Sequence, residues 1–131
     1  MGRGRAIIYI PKGAGSRDVS QSILESISQY VAVEIVRSIS DLKRQFLPHL
    51  DEPRPIVIAL VPSKVDLQNL LEVQELLENT RLILGLPETD NEMVALAHSM
   101  RPRFIGYLAN GFADIAAVAR KMVGETRVAD E

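Results

Sequence analysis

The chain has 131 residues, of which 47% are hydrophobic and 24% charged, a composition typical of one ordinary globular domain. It carries 15 Lys and Arg residues against 17 Asp and Glu residues, so the net charge of −2 does not favour a nucleic acid partner. The absence of cysteine excludes disulfides, thiolate nucleophiles and cysteine-ligated metals, and the apolar run at 6–10 is too short for a signal peptide or a membrane span. We therefore expect a soluble cytoplasmic domain without a membrane contact.

Five short apolar runs predict β-strands. The most informative is the run at 55–62, in which six apolar residues lie between Pro55 and Pro62 without polar alternation. Such a run is typical of a strand buried on both faces, as in a parallel sheet covered by helices on either side. The predicted strands, in chain order, are residues 6–10, 31–36, 55–62, 81–86 and 104–108.

The segments between the strands have the periodicity of amphipathic helices. We expect the second helix to stop at Pro48, the third to be the longest, and the last to end at Gly124. The residues predicted to start the first four helices are Ser16 or Asp18, Ser40, Ser63 or Asp66, and Thr89 in a capping box with Glu92. The residues predicted to face the core are Val19, Ile23, Leu24, Ile27, Ile39, Leu42, Phe46, Leu47, Leu67, Leu70, Leu71, Gln74, Leu77, Met93, Leu96, Ala97, Met100, Ile115, Val118, Ala119 and Met122.

Strand and helix thus alternate five times with short connections. This alternation predicts an α/β fold of three layers, α/β/α, with a five-stranded parallel sheet in the flavodoxin-like order 2-1-3-4-5. The domain is predicted to span residues 5–124, followed by a polar tail or the start of a linker at 125–131. A ligand or a reaction would be placed at the carboxyl ends of the strands, in residues 11–16, 60–64, 86–89 and 109–111.

The segment at 104–111, Phe-Ile-Gly-Tyr-Leu-Ala-Asn-Gly, resembles the fifth strand of the receiver domains of response regulators, and the resemblance extends over about residues 5–123. In that family an aromatic residue lies three positions before a lysine-proline pair. Tyr107 matches the aromatic residue, whereas Asn110 takes the place of the lysine and Gly111 that of the proline. The resemblance implies the receiver fold and a role in two-component signal transduction.

In receiver domains, a phosphoryl group is transferred to an aspartate at the end of the third strand. Acidic residues after the first strand hold the Mg²⁺ that assists the transfer. In this sequence Pro11 and Lys12 match the acid pair, and Leu60, with Val61 as the alternative, matches the phosphoacceptor. An ammonium repels Mg²⁺, and leucine has no oxygen that could accept a phosphoryl group. Two further family residues are missing: Asn110 stands in place of the lysine, and Gly85 or Leu86 stands in place of the hydroxyl residue at the end of the fourth strand.

The resemblance therefore implies a degenerate receiver, or pseudo-receiver, that is not an enzyme, needs no cofactor or metal, and acts through phosphorylation-independent protein contacts. Its partner would be another protein or a fused output domain, and a homodimer is an option. Receiver-like domains often interact through their fourth helix, fifth strand and fifth helix. The corresponding candidate interaction face comprises Arg101, Arg103, Tyr107, Asp114, Arg120 and Lys121, although the same charges could simply keep the domain soluble.

An alternative hypothesis is a sensor of a small ligand or anion at the carboxyl edge of the sheet. A glycine-rich turn before a helix, with a lysine nearby, favours negative charge. The candidate binding residues are Lys12, Gly13, Gly15, Ser16 and Thr89. His49 and His98 have no partner at metal-ligand spacing, and no pair of acids falls at a predicted strand end, so an enzyme of a flavodoxin-like class is the least favoured reading.

Overall fold

The computed structural model describes residues 5–11, 17–46, 55–61, 63–78, 80–86, 91–107 and 113–129, with the backbone alone for 17–20, 113 and 123–129. Strands and helices alternate along the chain as the sequence predicts, except that two helices follow the third strand.

The strands form one parallel sheet in the order β2-β1-β3-β4-β5, which confirms the predicted flavodoxin-like topology. In the middle of the sheet, Ile58 pairs with Ile8 on one side and with Ile83 on the other. Every residue of β3 is buried, as expected for a strand covered on both faces. The strands are β1 (Arg5–Tyr9), β2 (Ala32–Val36), β3 (Ile56–Leu60), β4 (Arg81–Leu86) and β5 (Phe104–Tyr107).

Six helices are present in the described part of the chain, one more than predicted. They are α1 (Arg17–Ile27), α2 (Ile39–Phe46), α3 (Lys64–Leu71), α4 (Gln74–Leu77), α5 (Asn91–Ser99) and α6 (Ala113–Ala129). Within these described ranges, no helix is both long and apolar enough to cross a membrane.

The helices cover the two faces of the sheet and give two apolar cores. Successive strand residues point to opposite faces, so Ile7 and Tyr9 of β1 contribute to one core and Ile8 to the other. The first core is closed by α2, α3, α4 and α5, and the second by α1 and α6. The result is the predicted three-layer α/β/α arrangement.

The predicted third helix is interrupted, and the prediction that it would be the longest is wrong. Backbone bonds from Glu72 N to Asn69 O (3.2 Å) and from Val73 N to Leu70 O (3.0 Å) tighten the chain into a turn between α3 and α4. Because of this turn, Val73 is buried in the core, whereas Gln74, which was predicted to face it, is half-buried.

Two predicted helix ends also differ from the structure. Among the described helices the longest is α6 with 17 residues; it continues past Gly124 to Ala129, which glycine permits at a modest cost in helix propensity. Asp18 lies inside α1 and is not its cap. The second helix begins at Ile39, in agreement with the predicted start at about Ser40, and the hydroxyl of Ser38 caps it by accepting a hydrogen bond from Asp41 N (3.1 Å).

Candidate functional site

At the carboxyl edge of the sheet, the described residues that match the family's phosphorylation site are apolar and buried. Leu60, the match to the phosphoacceptor, is 2% exposed, and its alternative Val61 is 1% exposed. Leu60 lies beside Gly85 in the sheet, and Val61 N donates to Gly85 O (2.8 Å). Leu86 at the end of β4 is fully buried, and Pro11 after β1 is buried as well.

These residues offer no oxygen-bearing side chain to a metal or a phosphoryl group. Mg²⁺ prefers several carboxylate and carbonyl oxygens in an octahedral array. Across the described ranges, no three His, Cys, Asp or Glu side chains come together in a way that could hold a metal ion. The side chains of Leu60, Val61 and Leu86 belong to the apolar cores between the sheet and the helices.

The other residues predicted to bind an anion or to match the phosphorylation site lie outside the described residues. They comprise the candidate anion-binding residues and two matches to the phosphorylation site: Lys12, Gly13, Gly15, Ser16, Thr89 and Asn110. The ligand-sensor hypothesis and the two matches at Lys12 and Asn110 stay predictions from sequence.

Tyr9 at the end of β1 is a polar residue at this edge that the sequence analysis did not single out. It is 2% exposed and belongs to the same core as Leu67 of α3. Burial raises the pKa of the Tyr9 phenol above its ordinary value, and the nearby carboxylate of Asp66 raises this pKa further. The phenol therefore stays protonated in neutral solution. Its signal in the sequence is a hydroxyl within the apolar run at 6–10.

Asp66 is held in place by the start of α3. The hydroxyl of Ser63 donates to Asp66 Oδ2 (2.8 Å) and accepts from Asp66 N (3.3 Å), so Ser63 caps the helix as predicted. The carboxylate consequently lies in the first turn of α3, where the partial positive charge of the helix start stabilises it.

An ion pair crosses the same edge from α3 to α5. Lys64 Nζ lies 2.6 Å from Glu92 Oε2, and the two side chains are 43% and 71% exposed. The sequence predicts that the Glu92 carboxylate caps its own helix in a capping box with Thr89, which lies outside the described residues. The sequence separation of 28 residues gave no local signal for this contact.

The candidate interaction face follows β5, the strand at one edge of the sheet, and the elements beside it. Arg101 and Arg103 are exposed in the connection between α5 and β5, and Tyr107 is half-buried in β5. The remaining members, on the exposed part of α6, are Asp114, Arg120 and Lys121. The structure thus places all six residues on β5 or on its flanking elements.

The close approach of α6 to β5 depends on Gly106. A Cβ atom at this position would lie 2.5 Å from Cγ1 of Ile115 and 2.9 Å from its Cδ1. Real Cβ contacts are essentially never shorter than 3.0 Å, so no larger residue fits without a shift. Gly106 therefore sets the distance between the edge strand and the helix that carries half of the candidate face.

No protein-family model matches this chain, and no curated protein matches it significantly. Solved structures do match. One is a response regulator CheY-like protein from Mesorhizobium loti, with 21% identity and a TM-score of 0.56 over 81% of this chain and 87% of that protein. Another is a putative pilus assembly-related protein from Burkholderia pseudomallei, with 10% identity and a TM-score of 0.55 over 88% of this chain and 90% of that protein. At these identities the similarity is one of fold.

Proposed function

We propose that this chain, with its receiver fold, is a signal-transduction module that acts as a pseudo-receiver: it is not an enzyme and works through phosphorylation-independent contacts with another protein. The observation that carries the proposal is the burial of Leu60 at the end of the central strand. This is the position that matches the phosphoacceptor of the family that the sequence resembles.

Physical chemistry supports the loss of phosphorylation at this position. Transfer of a phosphoryl group to a side chain needs an oxygen nucleophile and a cation that neutralises the developing charge. Leu60 and Val61 lack the oxygen, and Pro11 has no side-chain ligand for Mg²⁺. A buried, apolar strand end also excludes the water and ions that such a reaction needs.

The edge of the sheet at β5 supports a role in protein contacts. Edge strands have unpaired backbone groups and are sites where other chains bind. Phe104, Ile105 and Tyr107 are half-buried there, and Arg103 is exposed next to them. Tyrosine and arginine are enriched in protein interfaces. The partner is a second protein or an output domain, and a second copy of this chain fits the same description.

Labelled acetyl phosphate tests the absence of phosphorylation. The chain and a receiver domain with an intact phosphoacceptor are incubated side by side with this donor and Mg²⁺. We expect label on the control receiver and none on this chain. Incorporation that is lost on removal of Mg²⁺ would refute the proposal.

Sedimentation measurements over a wide concentration range test a second copy as the partner. We expect concentration-dependent association that Tyr107→Ala and Arg120→Glu weaken. The matched control is Lys43→Glu, which changes an exposed cation of α2, the helix that follows β2 at the opposite edge of the sheet from β5. Association that only Lys43→Glu disturbs would place the interface elsewhere.

A further inference from the structure

An open polar cavity lies at the opposite end of the sheet from Leu60, beside the residues that precede β4 and β5. Its volume is about 410 Å³, and small-ligand pockets usually measure about 300–1,000 Å³. One wall consists of Gln74, Leu77, Glu78 and Thr80, from α4 and the turn that follows it. The other wall consists of Ser99, Met100 and Arg101, at the end of α5.

The second wall is the carboxyl end of a helix and is fixed in position. Arg101 N donates to His98 O (3.0 Å), which closes the last turn of α5. Gln74 Nε2 donates to Ser99 O (3.3 Å), which connects this turn to α4 across the cavity. The carboxyl end of a helix carries partial negative charge and stabilises a cation placed near it.

Two opposite charges line the cavity without neutralising each other. Glu78 and Arg101 are both exposed at its walls. Within the part of the chain that the structure describes, neither has an ion-pair partner. A carboxylate and a guanidinium are therefore both available to a molecule that enters between them.

Arg101 is also held in an unfavourable backbone conformation. Its φ of 56° is the only positive φ of a non-glycine residue among those described. Helices often end with a residue in this left-handed region, but that residue is usually glycine, which adopts the conformation without steric cost. Strain of this kind is common at binding sites, where a particular side chain is needed.

We propose that this cavity binds a free amino acid. Its ammonium group would lie between the Glu78 carboxylate and the end of α5, and its carboxylate would pair with the planar guanidinium of Arg101, the side chain best suited to two parallel hydrogen bonds with a carboxylate. This inference goes beyond the proposed signalling function, because it adds a small-molecule input at the end of the sheet opposite the degenerate phosphorylation site.

The test is an NMR titration of the full ¹⁵N-labelled chain with each proteinogenic L-amino acid in turn. We expect at least one to shift the amides of Glu78, Thr80, Ser99 and Arg101 in a saturable way. Its carboxamide, which lacks the carboxylate, and its N-acetyl derivative, which lacks the ammonium, should each bind at least tenfold more weakly. The proposal is overturned if no amino acid shifts these amides in a saturable way, or if the two derivatives bind as tightly as the unmodified amino acid.

Variants distinguish binding in the cavity from indirect effects. Glu78→Gln and Arg101→Gly should each lower the affinity for the amino acid at least tenfold. The controls Glu75→Gln and Arg103→Gln remove an exposed charge close by that does not line the cavity, and should leave the affinity unchanged. Arg101→Gly relieves the left-handed strain, so its thermal midpoint should not fall, and weaker binding then cannot be due to unfolding. Unchanged affinity in both cavity variants would overturn the proposal.

Discussion

The ammonium of Lys64 lies 2.6 Å from the carboxylate of Glu92, and this pair joins the first turn of α3 to the first turn of α5. The two residues are not equivalent. The start of a helix stabilises the carboxylate of Glu92 but disfavours the ammonium of Lys64. The dipole of α3 therefore destabilises the charge of Lys64, whereas the dipole of α5 stabilises the charge of Glu92.

Substitution of the two residues should expose this asymmetry. Glu92→Gln removes both the pair and the favourable helix interaction, and should lower the free energy of unfolding by up to about 1 kcal/mol. Lys64→Gln should cost less, because the lost pair is offset by removal of the cation from the helix start. Urea unfolding of the two variants and of the double variant measures this; a larger cost for Lys64→Gln would contradict the argument.

Gly106→Ala should destabilise the fold by about 1–3 kcal/mol, because the new methyl group overlaps Ile115 of α6. Chemical denaturation gives the value. Ile115→Ala removes the atoms that the methyl group would meet, so the double variant should cost less than the sum of the two single variants. If the losses of stability in the two single variants simply add up in the double variant, the methyl group introduced by Gly106→Ala does not clash with Ile115.

Leu60→Asp tests whether the central strand tolerates the family's acid. A carboxylate at this 2% exposed position has no described partner, so we expect a loss of at least about 3 kcal/mol. The matched control is Val65→Asp, which puts the same group at a 63% exposed position in the first turn of α3 and should be nearly neutral. A stable Leu60→Asp variant that takes up phosphate from acetyl phosphate would show that the edge retains receiver chemistry.

Ser63→Ala should remove the cap of α3 and cost about 1 kcal/mol. Ser63→Thr keeps a hydroxyl for the amide of Asp66 and should retain most of the stability. Thermal unfolding of the two variants distinguishes them. Equal losses would mean that the hydroxyl does not act as a cap.

The raised pKa of Tyr9 predicts a loss of stability in alkaline solution. Above about pH 10 the unfolded chain releases the phenol proton while the folded chain retains it, so the free energy of unfolding falls as the pH rises. Below that pH both states hold the proton and the contribution of Tyr9 is constant. Urea unfolding between about pH 9 and about pH 11 should show a smaller decrease in the free energy of unfolding for Tyr9→Phe than for the parent chain. Identical falls would exclude this role of Tyr9.

Much of the architecture could be predicted from local patterns. The run between Pro55 and Pro62 lacks polar alternation, and β3 is buried on both faces in the centre of the sheet. The fourth strand has the predicted bounds, Arg81–Leu86. The break after Leu71 could not be predicted in the same way, because neither Glu72 nor Val73 is a helix breaker and apolar residues continue at helical spacing on both sides.

The candidate sites show the same difference between features that the sequence reveals and contacts that only the structure reveals. That Leu60 is apolar is a fact of the sequence, and it was enough to predict a strand end without a phosphoacceptor. The pairing of Lys64 with Glu92, the approach of Ile115 to Gly106 and the cavity between Glu78 and Arg101 were not visible in any local pattern.

The sequence by itself determined the order and type of most elements and the apolar character of the central strand end, because periodicity and side-chain chemistry are properties of neighbouring residues. Only the tertiary structure decided which distant side chains meet, such as Arg5 with Gln45, 40 positions apart, where Arg5 Nη2 donates to Gln45 O (3.0 Å). The physical reason is that such contacts depend on how closely and at what angle each helix packs on the sheet. Those distances are set by the combined volumes of core residues from several elements.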